Sequence, residues 1–293
     1  MNNQHLTVLR TEAVAALQIQ PERWYLDATF GGGGHTAAIL SQGGKVIAFD
    51  WDQQAIADGE EKFATAIKAG KLILIRESFS KVDTEITALL EAQKISPIDG
   101  ALFDFGTSTE QLTSSDRGFS FEGEGKLDMR MDTRLGVTAA DILQAIPEAQ
   151  LARLFFDYGG ETESRKIAKA IKNSPEPIIT TGQLSRLIEK VKGGRRGKLH
   201  PATKVFQALR IAVNSELEEI EAALPQTLKL LPSKGRIVTI AFHEGEDRLA
   251  KRAFKQWEQD NLGQMLKLIT PSTEEVAQNP RSRSAKMRIF EKN

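Results

Sequence analysis

Cysteine is absent from the 293-residue sequence, and this absence excludes several kinds of chemistry. Without a thiol, the protein can form no disulfide bond, bind no zinc through cysteine and use no thiolate nucleophile. No apolar run approaches the length of a membrane span, and the first residues lack the basic and apolar segments of a secretory signal. We therefore expect a cytoplasmic protein with no membrane partner.

Glycine, by contrast, is concentrated at one place. Gly31 to Gly34 follow Trp24–Leu26, a short apolar run typical of a buried strand, and precede Thr36–Leu40, which is typical of a helix. A strand that passes through such a turn into a helix presents backbone N–H groups and the positive helix end to a ligand. Glycines lack the Cβ atoms that would keep the ligand away. We predict a ligand site at this turn.

Strands and helices alternate through the first part of the chain and again near its end. The predicted strands are residues 24–26, 45–50, 71–76, 98–104 and 235–242, and residues 264–269 and 286–290 are expected to form an antiparallel pair. This alternation predicts an α/β fold, a Rossmann-like doubly wound parallel sheet that binds ligands at the carboxyl ends of its strands.

The alternation stops after residue 106. Residues 107–135 are polar and irregular, and the following segment predicts helices at residues 139–145, 148–156, 163–171, 181–191 and from about residue 202. We therefore divide the chain into a discontinuous α/β domain, residues 1–106 and 214–293, and an inserted, mainly helical domain, residues 107–213.

An acidic residue, Asp50, ends the second predicted strand 19 residues after Gly31. A carboxylate there accepts hydrogen bonds from the ribose hydroxyls of an adenine nucleoside, in nicotinamide enzymes and in enzymes that use S-adenosylmethionine. Thr36 favours the methyl donor, because a dinucleotide turn has glycine at that position. Asp27 also favours it, because a carboxylate suits a sulfonium or an amino group better than a pyrophosphate. The alternative is an acid that only caps a helix.

A second acidic strand end, Asp104, is followed by the hydroxyl side chains of Thr107 and Ser108. Polar groups here could orient a substrate amine, because in methyl transfer the protein supplies mainly alignment and a suitable field. The alternative is an ordinary turn rich in serine and threonine. The residues by themselves do not decide between the two.

Basic residues are concentrated in the predicted insertion, although the formal net charge of the chain is zero. From Arg165 to Val213 there are twelve Lys and Arg against two Glu, a net charge of about +10, which is typical of a phosphate-binding surface. The loop with Arg195, Arg196 and Lys198 suits a nucleic-acid backbone. The alternative is a solvated basic surface.

The four histidines do not indicate a metal site. His5, His35, His200 and His243 lie far apart in the sequence, and none has the spacing of a helical metal-binding pair. We therefore predict no metal. His35 differs from the others because it directly follows the glycines.

Seven motifs in order along almost the whole chain resemble the RsmH (MraW) family of bacterial 16S rRNA cytosine N(4)-methyltransferases. The motifs lie at residues 5–9, 27–35, 117–121, 127–132, 200–203, 206–217 and 279–284. The resemblance implies a class I S-adenosyl-L-methionine-dependent methyltransferase domain with an inserted helical substrate domain. It also implies methyl transfer to the exocyclic amine of cytosine 1402 in the decoding centre.

The resemblance also implies roles for individual residues. Together with the residues argued above, the predicted cofactor contacts are Asp27, Gly31, Gly33, Gly34, His35, Asp50, Phe79, Asp104 and Gln111. The catalytic candidates are Asp104 first, then Thr107, Ser108 and His243. The candidates for RNA binding are Asp128, Arg130, Arg195, Arg196, Lys198 and His200. The predicted partner is 16S rRNA, in the small ribosomal subunit or its precursor. A second copy of the chain, forming a homodimer, is an additional candidate partner.

Two motifs at strand ends depart from the family pattern. Residues 104–111 have Thr-Ser-Thr-Glu where the family has Val-Ser-Ser-Pro, and Ala241–Arg248 has Glu-Gly where the family has Ser-Leu. Because of these changes, a methyltransferase that acts on another RNA is an alternative function. A ribosome-assembly factor that binds RNA without turnover is a further hypothesis, and so is a nicotinamide dehydrogenase, although Thr36 counts against the dehydrogenase.

Overall fold

The computed structural model describes residues 7–107, 117–121, 123–194 and 199–293. The chain divides into two compact units, the first formed by Met1–Gly106 with Leu217–Asn293 and the second by Thr107–Glu216. Six residues named above lie outside the described residues: His5, Ser108, Gln111, Arg195, Arg196 and Lys198.

The first unit alternates strands and helices. Before the second unit its elements are α1 (Arg10–Leu17), β1 (Trp24–Asp27), α2 (Gly34–Ser41), β2 (Lys45–Phe49), α3 (Gln53–Lys62), α4 (Ala64–Lys68), β3 (Leu72–Ile75), a 3₁₀ helix (Phe79–Lys81), α5 (Val82–Glu91) and β4 (Ile98–Asp104). The helices of the second unit are α6 (Ala139–Ala145), α7 (Glu148–Gly159), α8 (Ser164–Lys172), α9 (Thr181–Lys192) and α10 (Thr203–Asn214). The chain ends with α11 (Glu216–Leu230), β5 (Arg236–Ala241), α12 (Glu244–Gln259), β6 (Gly263–Met265), α13 (Thr273–Gln278), a second 3₁₀ helix (Pro280–Ser284) and β7 (Lys286–Lys292).

The strands form one sheet in the order β3-β2-β1-β4-β5-β7-β6. Strands β1 to β5 are parallel, whereas β7 pairs antiparallel with both β5 and β6. The predicted Rossmann-like, doubly wound sheet and its terminal antiparallel pair are confirmed. Because the strand order reverses between β1 and β4, the crevice at their carboxyl ends is the expected ligand position. Asp27 ends β1 there and Asp104 ends β4.

Each face of the sheet is covered by apolar side chains. Leu26 and Phe103 belong to a cluster on one face, and their neighbours Tyr25 and Leu102 belong to a cluster on the other. Successive side chains of a strand point to opposite faces, so a strand with two covered faces needs a continuous apolar run. This explains why the central strands have no polar alternation.

The helices of the second unit begin and end at recognisable signals. Thr138 and Asp141 form a capping box at α6, and Thr180 and Gln183 form another at α9. A Cβ atom on Gly159, at the end of α7, would overlap the carbonyl oxygen of Lys204 in α10, so the close packing of these two helices requires glycine there. The helices expected in this segment are present, with ends that differ by up to a turn.

One predicted helix start was wrong. Helix α12 begins at Glu244 rather than at Leu249, because His243 and Glu246 form a capping box that the apolar pattern does not reveal. The side chain of His243 accepts a hydrogen bond from the backbone N–H of Gly245, and the side chain of Glu246 accepts one from the N–H of His243. Across the described part of the chain, no helix is both long and apolar enough to cross a membrane.

Candidate functional site

The glycine-rich turn joins β1 to α2 and is tied to the end of β2. The N–H of Gly31 donates to Asp50 Oδ2 at 2.8 Å. Gly31 and Gly33 have φ angles of 50° and 72°, in the left-handed region that favours glycine. The turn therefore holds the carboxylate of Asp50 against the start of α2.

Two glycines of the turn are required for a reason other than the predicted one. A Cβ atom on Gly33 would lie 2.6 Å from the ring of Phe63, and one on Gly34 would overlap the side chain of Thr7. We predicted that the missing Cβ atoms make room for a ligand. At these two positions they make room for the protein's own side chains.

Asp27 is completely buried at the end of β1. Its Oδ2 accepts a hydrogen bond from Thr36 Oγ1 at 2.6 Å, and its Oδ1 accepts one from the N–H of Thr29 at 3.3 Å. Burial raises the pKa of Asp27, and His35 and the bond from Thr36 oppose this rise. Thr36, which the sequence showed only as a departure from a dinucleotide turn, thus positions this carboxyl.

His35 and Asp104 meet at the same end of the sheet. His35 is 3% exposed, and its Nε2 lies 3.4 Å from Asp104 Oδ2. The backbone N–H of Asp104 donates to Thr29 Oγ1 at 2.7 Å, which fixes the end of β4 beside β1. Within the described residues, Asp104 Oδ1 and both ring nitrogens of His35 are buried and have no hydrogen-bond partner. Buried polar atoms of this kind are where a ligand is expected to bind.

Asp50 keeps hydrogen-bonding capacity for a ligand. Its Oδ1 accepts from the N–H of Asp52 at 2.9 Å and its Oδ2 from Gly31, which leaves further lone pairs on each oxygen. Protein surrounds the carboxyl although part of the side chain stays exposed. The loss of hydration raises the pKa of Asp50 to about 6.

Two aromatic rings lie near one another beyond Asp50. Trp51 follows Asp50 directly, and its ring centroid is 6.2 Å from that of Phe79. Phe79 opens the 3₁₀ helix after β3 and also lies 5.8 Å from Phe103. Trp51 is not among the residues predicted from the sequence, although its place directly after the acidic end of a strand could have identified it.

The turn that carries Phe79 is held from α11. Ser78 Oγ donates a short hydrogen bond to Glu219, and the Ser78 side chain also accepts from the N–H of Ser80. Burial raises the pKa of Glu219, and its hydrogen bonds to Ser80 oppose this rise. No local sequence pattern links residues 78 and 219, and only the fold brings them together.

The two remaining described catalytic candidates are placed differently. His243 forms the cap of α12, with Nδ1 accepting from Gly245 at 3.1 Å and Nε2 lying 3.1 Å from Glu246 Oε1. An Nδ1 atom that accepts a hydrogen bond leaves the ring proton of a neutral imidazole on Nε2. Thr107 is half-buried. A catalytic role for either residue stays a prediction.

The described candidates for RNA binding have partners within the second unit. Asp128 and Arg130 form a two-pronged ion pair with distances of 2.8 Å, and Arg130 also donates to the carbonyl of Leu135 at 2.6 Å. His200 stacks on Phe121 with ring centroids 4.3 Å apart, and its Nε2 lies 2.8 Å from Glu189. Their RNA contacts stay a prediction.

Much of the positive charge counted in the insertion is neutralised or held inside the second unit. Lys192 pairs at 2.7 Å with Glu161, which is 1% exposed, and Arg210 pairs with Glu216 at 2.7 Å. Lys172 donates to the carbonyl of Leu143 at the end of α6. The net charge of this segment therefore overstates the number of cations available to a phosphate.

The fold and this site together define a Rossmann-like nucleoside-binding protein. Carboxylates stand at the ends of β1, β2 and β4, a glycine-rich turn leads into α2, and aromatic rings lie beyond Asp50. The model of the MraW methylase family matches residues 2–293. The chain belongs to this family, which confirms the resemblance, the methyltransferase class and S-adenosyl-L-methionine as the cofactor.

The relatives match nearly the whole of this chain and most of their own length. The Ribosomal RNA small subunit methyltransferase H of Dehalococcoides mccartyi is 38% identical over 308 residues, covering 98% of this chain and 86% of that protein. The protein of the same name from Beijerinckia indica is 44% identical over 308 residues, covering 97% and 84%. Among solved structures, a putative rRNA methylase from Clostridium thermocellum has a TM-score of 0.47 at 15% identity, over 98% of this chain and 100% of that one.

Proposed function

We propose that this protein methylates small-subunit ribosomal RNA, and specifically the N(4) amine of cytosine 1402 in 16S rRNA. Family membership and the names of two relatives support an rRNA substrate. The observation that carries the proposal is the group formed by the buried Asp27 and His35 and the half-buried Asp104 at the switch point of the sheet, next to the turn that holds Asp50. A second copy of the chain as a partner stays a prediction.

The residues at the switch point fit S-adenosylmethionine. Asp50 would accept the ribose hydroxyls through its remaining lone pairs, and Trp51 with Phe79 would contact the adenine ring. The unsatisfied atoms of His35 and the carboxyl of Asp27 suit the charged methionine part. When bound, this cofactor supplies an electrophilic methyl group on a positively charged sulfur.

The substrate amine needs help from the protein. The lone pair of a cytosine amine is delocalised into the ring, so the amine is a weak nucleophile that must be aimed at the methyl carbon and must then lose a proton. Asp104 Oδ1 is buried without a partner among the described residues, and it can accept a hydrogen bond from the amine and then its proton. In the proposed transfer, Asp104 would take one proton from the amine nitrogen as that nitrogen receives the methyl group, and the demethylated donor would be the second product.

The test is to incubate the protein and the donor with small subunits that lack this modification. Modified nucleosides are then mapped by digestion and mass spectrometry. We expect N(4)-methylcytosine at position 1402. A methylated nucleoside elsewhere would show a different RNA target. Donor binding without any methylated RNA would favour an assembly factor.

The pKa of Asp50 predicts a pH-dependent affinity for the cofactor. The charged carboxylate is the better acceptor for ribose hydroxyls, and its pKa is raised to about 6 in the free protein. Affinity for S-adenosylmethionine should therefore be full above pH 7 and fall as the pH drops through about 6, by up to tenfold per unit. Calorimetric titrations between pH 5 and pH 8 measure this. Asp50→Asn should give a weaker and flatter profile, and a flat profile for the unchanged protein would refute the assignment.

We also propose that the second unit recognises RNA and that its basic loop contacts phosphates. Replacing Arg195, Arg196 and Lys198 together with alanine should weaken RNA binding. It should also lower the slope of log affinity against log salt by about two to three, because each lost phosphate contact removes close to one released counterion. Affinity for S-adenosylmethionine should not change. Fluorescence anisotropy with 16S rRNA at several salt concentrations measures the slope, and an unchanged slope would identify the loop as a solvated surface.

A further inference from the structure

A cavity of about 300 Å³ lies in the first unit, at the carboxyl end of β5. One wall is formed by Phe242, His243 and Glu244, which follow β5, and the other by the chain around the second 3₁₀ helix and the start of β7. His243 is also one of the catalytic candidates. That second wall contributes Thr270, Arg283, Ser284 and Lys286. None of these residues belongs to the predicted cofactor contacts.

The cavity lies beside the candidate active site. Strands β4 and β5 are parallel neighbours, and Asp104 pairs with Ile240, so both strands end on the same side. A Cβ atom on Gly106 would lie 3.5 Å from Cδ2 of Phe242. The ring of Phe242 thus lies against the chain two residues after Asp104, and a molecule in the cavity would be a close neighbour of whatever Asp104 contacts.

The charged side chains of the cavity differ in the sign of their charge and in whether they already form an ion pair. Arg283 is exposed and has no ion pair within the described residues, whereas Lys286 lies 3.2 Å from Asp247. Asp247 is also paired with Arg288 at 2.7 Å. Glu244 is exposed in the first turn of α12 and likewise has no cationic partner in the described part of the chain. One available guanidinium and one available carboxylate therefore line the same cavity.

We propose that this cavity binds a single nucleotide of the RNA substrate next to the methylated one, an inference that rests on the proposed function. The base stacks on Phe242, Glu244 accepts a hydrogen bond from an exocyclic amine, and Arg283 binds the adjoining phosphate. Aromatic rings commonly stack unpaired bases of RNA, and a carboxylate accepts from the amine of cytosine or adenine. A volume of about 300 Å³ is at the lower end for ligand sites, which suits one nucleotide and not a longer segment.

Glu244 distinguishes this inference from a simple phosphate site. A carboxylate near a phosphate repels it, so removing Glu244 would strengthen the binding of a phosphate alone. If Glu244 binds the amine of a base, its removal weakens RNA binding instead. The sign of the change therefore tests the proposal.

The test compares three cavity variants, Glu244→Ala, Arg283→Ala and Phe242→Leu, with two controls, Glu91→Ala and Arg10→Ala. Both control side chains are exposed in the first unit and have no ion pair in the described residues. The dissociation constant for unmethylated 16S rRNA and the KM for unmethylated small subunits are measured at saturating S-adenosylmethionine. Donor affinity, measured separately, shows that each variant is folded.

Each cavity variant is expected to raise the RNA dissociation constant and the KM by about tenfold. Loss of one hydrogen bond to a charged group, or of one base-stacking contact, lowers affinity by about that factor. Only Arg283→Ala should lower the slope of log affinity against log salt, by about one, because only this variant removes a phosphate contact. Donor affinity and both controls should stay unchanged. Tighter RNA binding by Glu244→Ala would overturn the proposal. RNA dissociation constants and KM values within twofold of those of the unchanged protein, for all three variants, would also overturn it.

Failure of this inference and failure of the proposed function give different results. If the unchanged protein methylates the subunits but the cavity variants behave like the controls, the nucleotide site is wrong and the function stands. If no methylation occurs but the variants weaken RNA binding, the proposed function is wrong, and the cavity binds RNA without a methylated neighbour.

Discussion

Replacing Asp50 with alanine is expected to weaken S-adenosylmethionine binding by at least about 100-fold. In the proposed site, the substitution removes the acceptor for two ribose hydroxyls, and hydrogen bonds to a charged group contribute about 1.5–3 kcal/mol each. It also removes the acceptor of the Gly31 N–H, so the glycine-rich turn loses its 2.8 Å bond to the end of β2. Isothermal titration calorimetry at pH 8, where the carboxyl is ionised, measures the change.

Two further variants identify the cause of the loss. Asp83→Asn removes an exposed carboxylate in the first turn of α5 and should bind the donor as the unchanged protein does. Asp50→Asn keeps one oxygen acceptor, so its affinity should lie between those of the alanine variant and the unchanged protein. If Asp50→Ala binds the donor within threefold of the unchanged protein, Asp50 does not hold the ribose.

The acidic strand ends could be predicted because they depend only on local patterns. Asp50 and Asp104 each follow an apolar run, and parallel strands bring their carboxyl ends to one side of a sheet. The helix ends were less predictable, since the start of α12 depends on the His243 side chain folding back onto the backbone. An apolar pattern contains no information about such a cap.

Contacts between distant residues could not be predicted. Thr36 donates to Asp27, Glu219 accepts from Ser78, and the ring of Trp51 lies near that of Phe79, yet no spacing in the sequence indicates these contacts. The number of unpaired cations in the insertion could not be predicted for the same reason. Lys192 looks like an available cation until the fold places the buried Glu161 beside it.

The position of Asp104 connects the fold with the chemistry. Its backbone is fixed by Thr29, one of its oxygens faces His35 at 3.4 Å, and the other has no hydrogen bond within the described residues. In the proposed mechanism, the oxygen without a hydrogen bond orients the amine and accepts its proton. The backbone hydrogen bond to Thr29 keeps this carboxylate at the end of β4.

Replacing Asp104 with asparagine is expected to lower kcat by about 100- to 1000-fold, because a positioned proton acceptor contributes about that factor. Asparagine keeps the size of the side chain and the backbone bond to Thr29, so donor affinity should change by less than about tenfold. Initial rates at saturating donor and saturating unmethylated small subunits give kcat. Thr29→Val is the matched comparison, since it removes the hydroxyl that holds the Asp104 backbone but keeps the carboxylate, and it should lose far less rate. A kcat for Asp104→Asn within threefold of the unchanged protein would mean that the amine proton leaves directly to water, and that Asp104 serves only to bind.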